Sequence, residues 1–176
     1  MDFIKTTHLK VASFLLSDSN LLIEILNAKN CKNLYLSTGT CNLSDIRKSI
    51  KLIKNFKNKA YFLHCISQYP VANTEDCNLV NIQVLKELWG ENIGLSDHSI
   101  GSFIPSLAIV LGAQVIEKHF TTSKKREGFD HPISATPEVF KELVENCKSA
   151  LLSLGKPRGV NNYQCENPIM KFREIS

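Results

Sequence analysis

Residues 93–121 read IGLSDHSIGSFIPSLAIVLGAQVIEKHFT: a short apolar run, a helical stretch and a second apolar run. Ile93–Ser96 and Val115–His119 are rich in β-branched residues and have the length of strands. Ser102 stands ahead of a helical stripe that includes Leu107 to Leu111. Two strands joined through a helix must lie parallel, because an antiparallel pair needs only a tight turn.

The same unit recurs on the N-terminal side. Leu9–Ala12, Leu34–Ser37 and Tyr61–Ile66 read as further strands. Helical stripes separate them: Leu21, Leu22 and Ile25 after Asp18 and Ser19, Ile46, Ile50 and Ile53 after Ser44, and Leu79, Ile82 and Leu85 after Asn78. Beyond the last strand, Thr136-Pro137-Glu138 opens a helix with a capping residue, proline at the first position and an acid in the first turn. Its expected apolar stripe is Phe140, Leu143, Val144, Cys147, Leu151 and Leu154, closed by Gly155. Five strand–helix units fit an open doubly wound sheet or part of a (β/α)8 barrel. A full barrel takes about 250 residues, so this chain equals about five-eighths of one. Ser37-Thr38-Gly39-Thr40 has one glycine where a dinucleotide-binding loop needs three, which counts against a Rossmann domain. The expected organisation is a barrel segment over 1–155 and a polar tail or linker over 156–176.

The chain has 176 residues, 43% of them hydrophobic and 22% charged, the composition of a globular domain. Lys+Arg 21 against Asp+Glu 17 gives a net charge of +4, spread along the chain rather than gathered on one run, so nucleic acid is not an expected partner. No stretch approaches the roughly 18 apolar residues of a membrane span. The early apolar run Val11–Leu16 is too short for a secretory signal. The six cysteines, Cys31, Cys41, Cys65, Cys77, Cys147 and Cys165, contain no C-x-x-C pair. They read as free thiols of a reducing compartment, and the expected location is cytoplasmic.

Reactive side chains collect where the strands end. Those ends read Lys-Val-Ala-Ser (10–13), Ser-Thr-Gly (37–39), His-Cys-Ile-Ser-Gln-Tyr-Pro (64–70), Ser-Asp-His-Ser (96–99) and Glu-Lys-His-Phe-Thr (117–121). Ligands of parallel sheets bind at the carboxyl ends of strands. Alternation puts Glu117 and His119 on one face of their strand and Ser96 and His98 on one face of theirs. If both faces point inward, two imidazoles meet beside a carboxylate, a donor set suited to Mn, Fe, Co or Zn. The competing reading is a pair of solvated strand-end histidines. Lys10 and Ser13, with Ser37 and Ser67, suit an anion: an ammonium supplies charge and hydroxyls supply donors. Without further information a metal-dependent hydrolase stays open, although it would need another ligand and a water-activating base. His64 and His131 read as structural.

Leu-His-Cys-Ile-Ser-Gln-Tyr-Pro (63–70), Gly-Leu-Ser-Asp-His-Ser-Ile-Gly (94–101), Gly-Ala-Gln-Val-Ile-Glu-Lys-His-Phe-Thr (112–121) and Gly-Phe-Asp-His-Pro-Ile-Ser (128–134) resemble the N-acetylneuraminate (sialic acid) synthase family. That family includes pseudaminic and legionaminic acid synthases and spore-coat relatives. The resemblance runs from about Thr7 to Phe172, with Lys10–Ser13 and Leu36–Gly39 in the right order.

The resemblance implies a (β/α)8 barrel followed by an antifreeze-like domain. It implies condensation of phosphoenolpyruvate with an N-acetylated aldose, releasing phosphate and forming a nine-carbon α-keto acid. His98 and His119 match the ligands of a divalent metal, Mn2+ or Mg2+, and Glu117 matches the acid beside them. Lys10, Ser13, Ser37, Ser67 and Ser96 match the phosphoenolpyruvate-binding set; Tyr69 and Asp130 match sugar-side positions. Phe129 and Pro132 depart from the family pattern. The resemblance also places this sequence from the fourth barrel strand onward, without the family's catalytic Glu and a phosphoenolpyruvate-binding Lys. It therefore leads us to expect an isolated chain that is inactive. Its two open edges and an uncovered apolar face would invite either a second copy or a separate first half.

Overall fold

Alternating apolar runs and helical stripes become alternating strands and helices. The computed structural model describes residues 6–155 apart from 29, 57 and 58, so the 156–176 tail lies outside the described residues. Strands β1 (His8–Val11), β2 (Asn33–Ser37), β3 (Ala60–Cys65), β4 (Ile93–Asp97) and β5 (Val115–Lys118) form one sheet in the order β1-β2-β3-β4-β5. Each neighbouring pair is parallel. Helices α1 (Ser19–Asn27), α2 (Leu43–Ile53), α3 (Asn81–Trp89) and α4 (Phe103–Val110) make the crossovers, and α5 (Pro137–Ser153) follows the sheet. The order runs without reversal, whereas a doubly wound sheet reverses at a switch point. This is the winding of a barrel.

The sheet is strongly curled. A flat arrangement would put β1 and β5 about 19 Å apart, four strand spacings. Yet Lys10 Nζ on β1 lies 3.2 Å from Glu117 Oε1 on β5. Only a concave sheet lets two edge strands touch through their side chains. The five strands and their helices form a half-barrel.

The main core lies between the convex face and the helices. Val11, Leu34, Leu36, Phe62, Ile93 and Leu95 meet Leu22, Ile53, Ile82, Leu85 and Trp89 there. Trp89 packs edge-on against Phe62 with centroids 5.1 Å apart, and its indole donates to the Ala60 carbonyl at 2.9 Å. At β4 the neighbouring strand approaches too closely for a side chain. A Cβ on Gly94 would meet the Val115 carbonyl at 2.4 Å.

Several details differ from the sequence reading. Asn42 rather than Ser44 caps α2, in a reciprocal box with Asp45, and α3 begins at Asn81 after Asn78 turns with φ of 45°. Ser102 makes no capping bond; its hydroxyl donates to Glu142 on α5 at 2.7 Å. In the expected α5 stripe only Leu143 is buried, while Leu151 and Leu154 are exposed. On the concave face Tyr35 stacks on Tyr61 with centroids 5.4 Å apart, and Lys10 stands beside them in register. Exposed apolar groups gather on α4 and α5, where nothing in the described residues covers Phe103, Val110 or Leu152.

Candidate active site

Strand pairing fixes which side chains share the concave face. Ser96 is the register partner of Glu117, so both point the same way and their inward-facing neighbours two residues on do too. The condition left open by alternation is met. The rings of His98 and His119 face each other with centroids 5.3 Å apart. Tyr69, in the loop after β3, covers His98 at 4.1 Å and approaches His119 edge-on at 5.8 Å.

Of the two rings, only that of His98 is held by a hydrogen bond at Nδ1. His98 Nδ1 donates to the Ile66 carbonyl at 2.7 Å, which assigns the proton to that nitrogen. His119 Nδ1 lies 3.6 Å from Asp130 Oδ2, an electrostatic contact beyond hydrogen-bond distance. Anchoring Nδ1 of His98 leaves its Nε2 free to ligate, an arrangement found in metal-binding histidines. The donor set therefore fits a divalent cation held by two imidazoles, with further ligands from solvent or substrate. Among the described residues no group of three or more His, Cys, Asp or Glu side chains is close enough to hold a metal.

Glu117 does not join the imidazole pair in such a group. Its Oε1 accepts a hydrogen bond from Ser96 Oγ at 2.8 Å and lies 3.2 Å from Lys10 Nζ. Lys10, Ser96 and Glu117 thus form a polar group one strand layer below the imidazoles.

The hydroxyls form a third group. Ser13 Oγ accepts from the Gly39 N–H at 2.9 Å and lies 3.6 Å from Cys65 Sγ. Gly39 must be glycine for this assembly: its Cβ would lie 2.4 Å from Ser67 Oγ, 2.8 Å from Cys65 Sγ and 3.0 Å from Ser13 Oγ. Ser37, also on the concave side, is 1% exposed and its hydroxyl has no partner among the described residues. An orphaned buried hydroxyl carries a desolvation cost that a bound oxygen ligand would relieve.

Cys65 links the groups. Burial pushes its thiol pKa up, but contacts with His98, Ser13 and Ser96 outweigh burial and hold it below the usual value. Burial likewise pushes His98 toward neutrality; Cys65, the Ile66 carbonyl and Asp97 outweigh it and raise the ring's pKa.

The structure brings nine of the ten sequence-nominated residues into these adjoining groups; Asp130 lies at their margin, 3.6 Å from His119 Nδ1. Phe129 is fully exposed beside it. His64 and His131 lie outside, as structural residues: His64 Nε2 donates to the Cys77 carbonyl at 2.8 Å, and His131 Nδ1 bonds Thr121 Oγ1 at 2.8 Å. A cleft of about 230 Å³ lies between α2, α3 and the ends of β2 and β3; Lys10, Glu117, His98 and His119 do not line it. The concave face is the chemically stronger site, since that is where the charged and ligating groups converge. Sequence reasoning passed over Gly39, Cys65, Asp97 and Lys118. Asp97 and Lys118 form an ion pair on the convex side, with side chains 3% and 2% exposed. Their signal was visible: a charged residue directly precedes each histidine, in the phase that faces the helices.

Comparisons with known proteins agree with this architecture. A model described as "NeuB family" matches residues 1–158. The chain is 38% identical over 148 residues to the pseudaminic acid synthase of Helicobacter pylori, covering 84% of this chain and 43% of that protein. It is 40% identical over 127 residues to the N,N'-diacetyllegionaminic acid synthase of Legionella pneumophila, covering 69% and 35%. An uncharacterised protein of Methanocaldococcus jannaschii is 43% identical over 129 residues, covering 73% and 38%. The crystal structure of N-acetylneuraminic acid synthetase from Leptospira borgpetersenii, in complex with citrate, superposes with a TM-score of 0.81 at 34% identity, covering 97% of this chain and 58% of that one. The spore coat polysaccharide biosynthesis protein spsE of Bacillus subtilis gives a TM-score of 0.76 at 31% identity, covering 87% and 44%. The chain spans less than half the length of the curated relatives it matches.

Proposed function

The chain belongs to the NeuB family, and from that premise we propose that it carries the metal-side half of a nonulosonic acid synthase site. The reaction is condensation of phosphoenolpyruvate with an open-chain N-acetylated aldose, giving a nine-carbon α-keto acid and phosphate. One observation carries the reading: the His98 and His119 rings lie with centroids 5.3 Å apart, His98 Nδ1 anchored on the Ile66 carbonyl and His119 Nδ1 3.6 Å from Asp130.

His98 and His119 would hold Mn2+ or Mg2+ through Nε2. When bound, the cation supplies Lewis-acid polarisation of the sugar aldehyde. Lys10, Ser13, Ser37 and Ser67 bind the phosphate and carboxylate oxygens of phosphoenolpyruvate, with the Ser37 hydroxyl gaining the partner it lacks. Ser96 keeps Glu117 oriented through its 2.8 Å hydrogen bond. Glu117 accepts or returns a proton at Oε1 as sugar hydroxyl or water reacts. Tyr69 packs over the imidazoles, and Asp130, 3.6 Å from His119 Nδ1, faces the sugar.

Turnover requires the barrel's other strands, which a separate polypeptide or a longer form of the protein would provide. The open edges of β1 and β5 favour such a complementing first half or a second copy. The protein has no helix, among the described residues, long and apolar enough to cross a membrane, and we place it in the cytoplasm with its polar substrates.

Mn2+ titration followed by electron paramagnetic resonance tests the site. The 176-residue chain should bind Mn2+, and His98→Ala with His119→Ala should abolish binding. Phosphate release from phosphoenolpyruvate and N-acetylmannosamine should be undetectable with the chain alone and appear on adding a first-half polypeptide from a relative. Equal Mn2+ binding by wild type and the double variant would remove the metal reading.

A further inference from the structure

We propose that Asp97 and Lys118 are positioning residues that set the separation and aim of His98 and His119 from the opposite side of the sheet. This rests on the reading of the two imidazoles as a metal pair, but its claim concerns their geometry.

Past the last strand pairing the carbonyls of the two histidines turn to other partners, His98 O accepting from the Val71 N–H at 3.1 Å and His119 O from the Ala135 N–H at 2.8 Å. β4 and β5 are in register as far as Asp97 opposite Lys118, where both strands end. His98 and His119 are the next residues, beyond the last strand pairing. Side-chain bonds continue the tie where the ladder stops. Lys118 Nζ donates to Asp97 Oδ2 and, at 2.6 Å, to the Ser99 carbonyl. Asp97 Oδ1 accepts the Ser99 N–H at 3.0 Å. Residues 97 and 99 are thus both bonded, and the backbone between them, which bears His98, is closed into a small ring of contacts. The ammonium at the centre belongs to the residue preceding His119. One clasp therefore fixes both histidine-bearing backbones to each other.

Burial argues that direction, more than strength, is what the pair supplies. Both side chains are almost fully removed from solvent. Replacing a buried ion pair with apolar groups of similar volume is often neutral or stabilising. A hydrophobic pair would hold β4 against β5 equally well, but it would not fix a carbonyl, an amide and a carboxylate at defined angles. The clasp sits on the convex side, so it leaves the concave face free for ligands.

The test compares wild type with the double variant Asp97→Leu plus Lys118→Met, an apolar pair expected to fold, and with Asp97→Asn, which keeps an acceptor for the Ser99 N–H but leaves the Lys118 ammonium without its counter-charge. Two readouts are taken on the 176-residue chain. The first is Mn2+ affinity, expected to fall about 10-fold in the double variant, as for other groups that orient metal-bound histidines, and less in Asp97→Asn. The second needs no metal: with 13C-labelled histidine, the ring signals of His98 and His119 should broaden or split in the double variant while exposed His8 stays sharp. Ring disorder in a chain whose wild type takes up no Mn2+ would support the clasp and overturn only the metal reading. Unchanged His98 and His119 signals in the folded variants, or unchanged Mn2+ affinity where the wild type binds it, would overturn the proposal.

Discussion

His64 shows what one buried ring does to the balance of the molecule. It is 3% exposed, and Nε2 donates to the Cys77 carbonyl at 2.8 Å. Burial holds its pKa below the usual histidine value, and the bond to Cys77 only partly opposes this. An unfolded histidine takes up a proton near about pH 6.5. Between that value and the lowered folded one, the unfolded chain binds more protons than the folded chain. The stability His64 contributes is therefore complete above about pH 6.5 and is lost as the pH falls toward the folded value. His98 is shifted the other way, but it is common to wild type and variant. Urea midpoints measured from about pH 7 to about pH 5 should drop less steeply in His64→Gln than in wild type; parallel curves would show that another group is responsible. At this scale the sequence was informative for residues whose role follows from strand alternation. Ser96 with Glu117 and the facing imidazoles could be read from phase. The 3.2 Å contact of Lys10 with Glu117 could not, because it depends on curvature that no local pattern encodes.

Helix α5 shows the same limit at the level of an element. Its start was legible, since Thr136 accepts from the Val139 N–H and Pro137 takes the first turn. Its apolar period was also legible. Periodicity names a face, however, without naming what covers it. α5 docks on α4 through Leu143 and a polar contact in which Ser102 Oγ donates to Glu142 and accepts from Asn146 Nδ2 at 2.9 Å. Phe140 meets the exposed Phe120 ring edge-on at 5.7 Å. Beyond this contact Leu151, Leu152 and Leu154 stand in solvent. Leu143→Ala should destabilise the chain by about 2–5 kcal/mol, the range for a buried leucine. Leu151→Ala should change stability by no more than about 0.5 kcal/mol. Chemical denaturation of the two variants checks both numbers; a large loss at Leu151 would mean that the end of α5 is packed in solution.

At the scale of the molecule, the curled sheet has two open edges among the described residues. β1 pairs only with β2 and β5 only with β4 among the described residues, so each presents a row of backbone donors and acceptors on its free side. The parallel sheets of barrels have no edges, and the stability of the form comes from closure. Both edge strands are only four residues long, and β5 carries Glu117 and Lys118, which are held by internal partners, Lys10 with Ser96 and Asp97 with the Ser99 carbonyl. Short edge strands and inward-turned charges weaken pairing at an edge, so association there should be weak and concentration-dependent. Apolar groups on α4 and α5 add a second adhesive surface. The isolated 176-residue chain should therefore self-associate, with a weight-average mass by light scattering that rises with concentration above that of one chain. Val115→Lys, which puts a free ammonium on the concave side of the β5 edge, should shift the population toward monomer. A polypeptide carrying the first three strands of a related barrel should compete with self-association and yield a one-to-one complex. A wild-type chain that stays monomeric at every concentration would show that its edges are already protected, and the half-barrel would then be a self-sufficient unit rather than a part that closes with another.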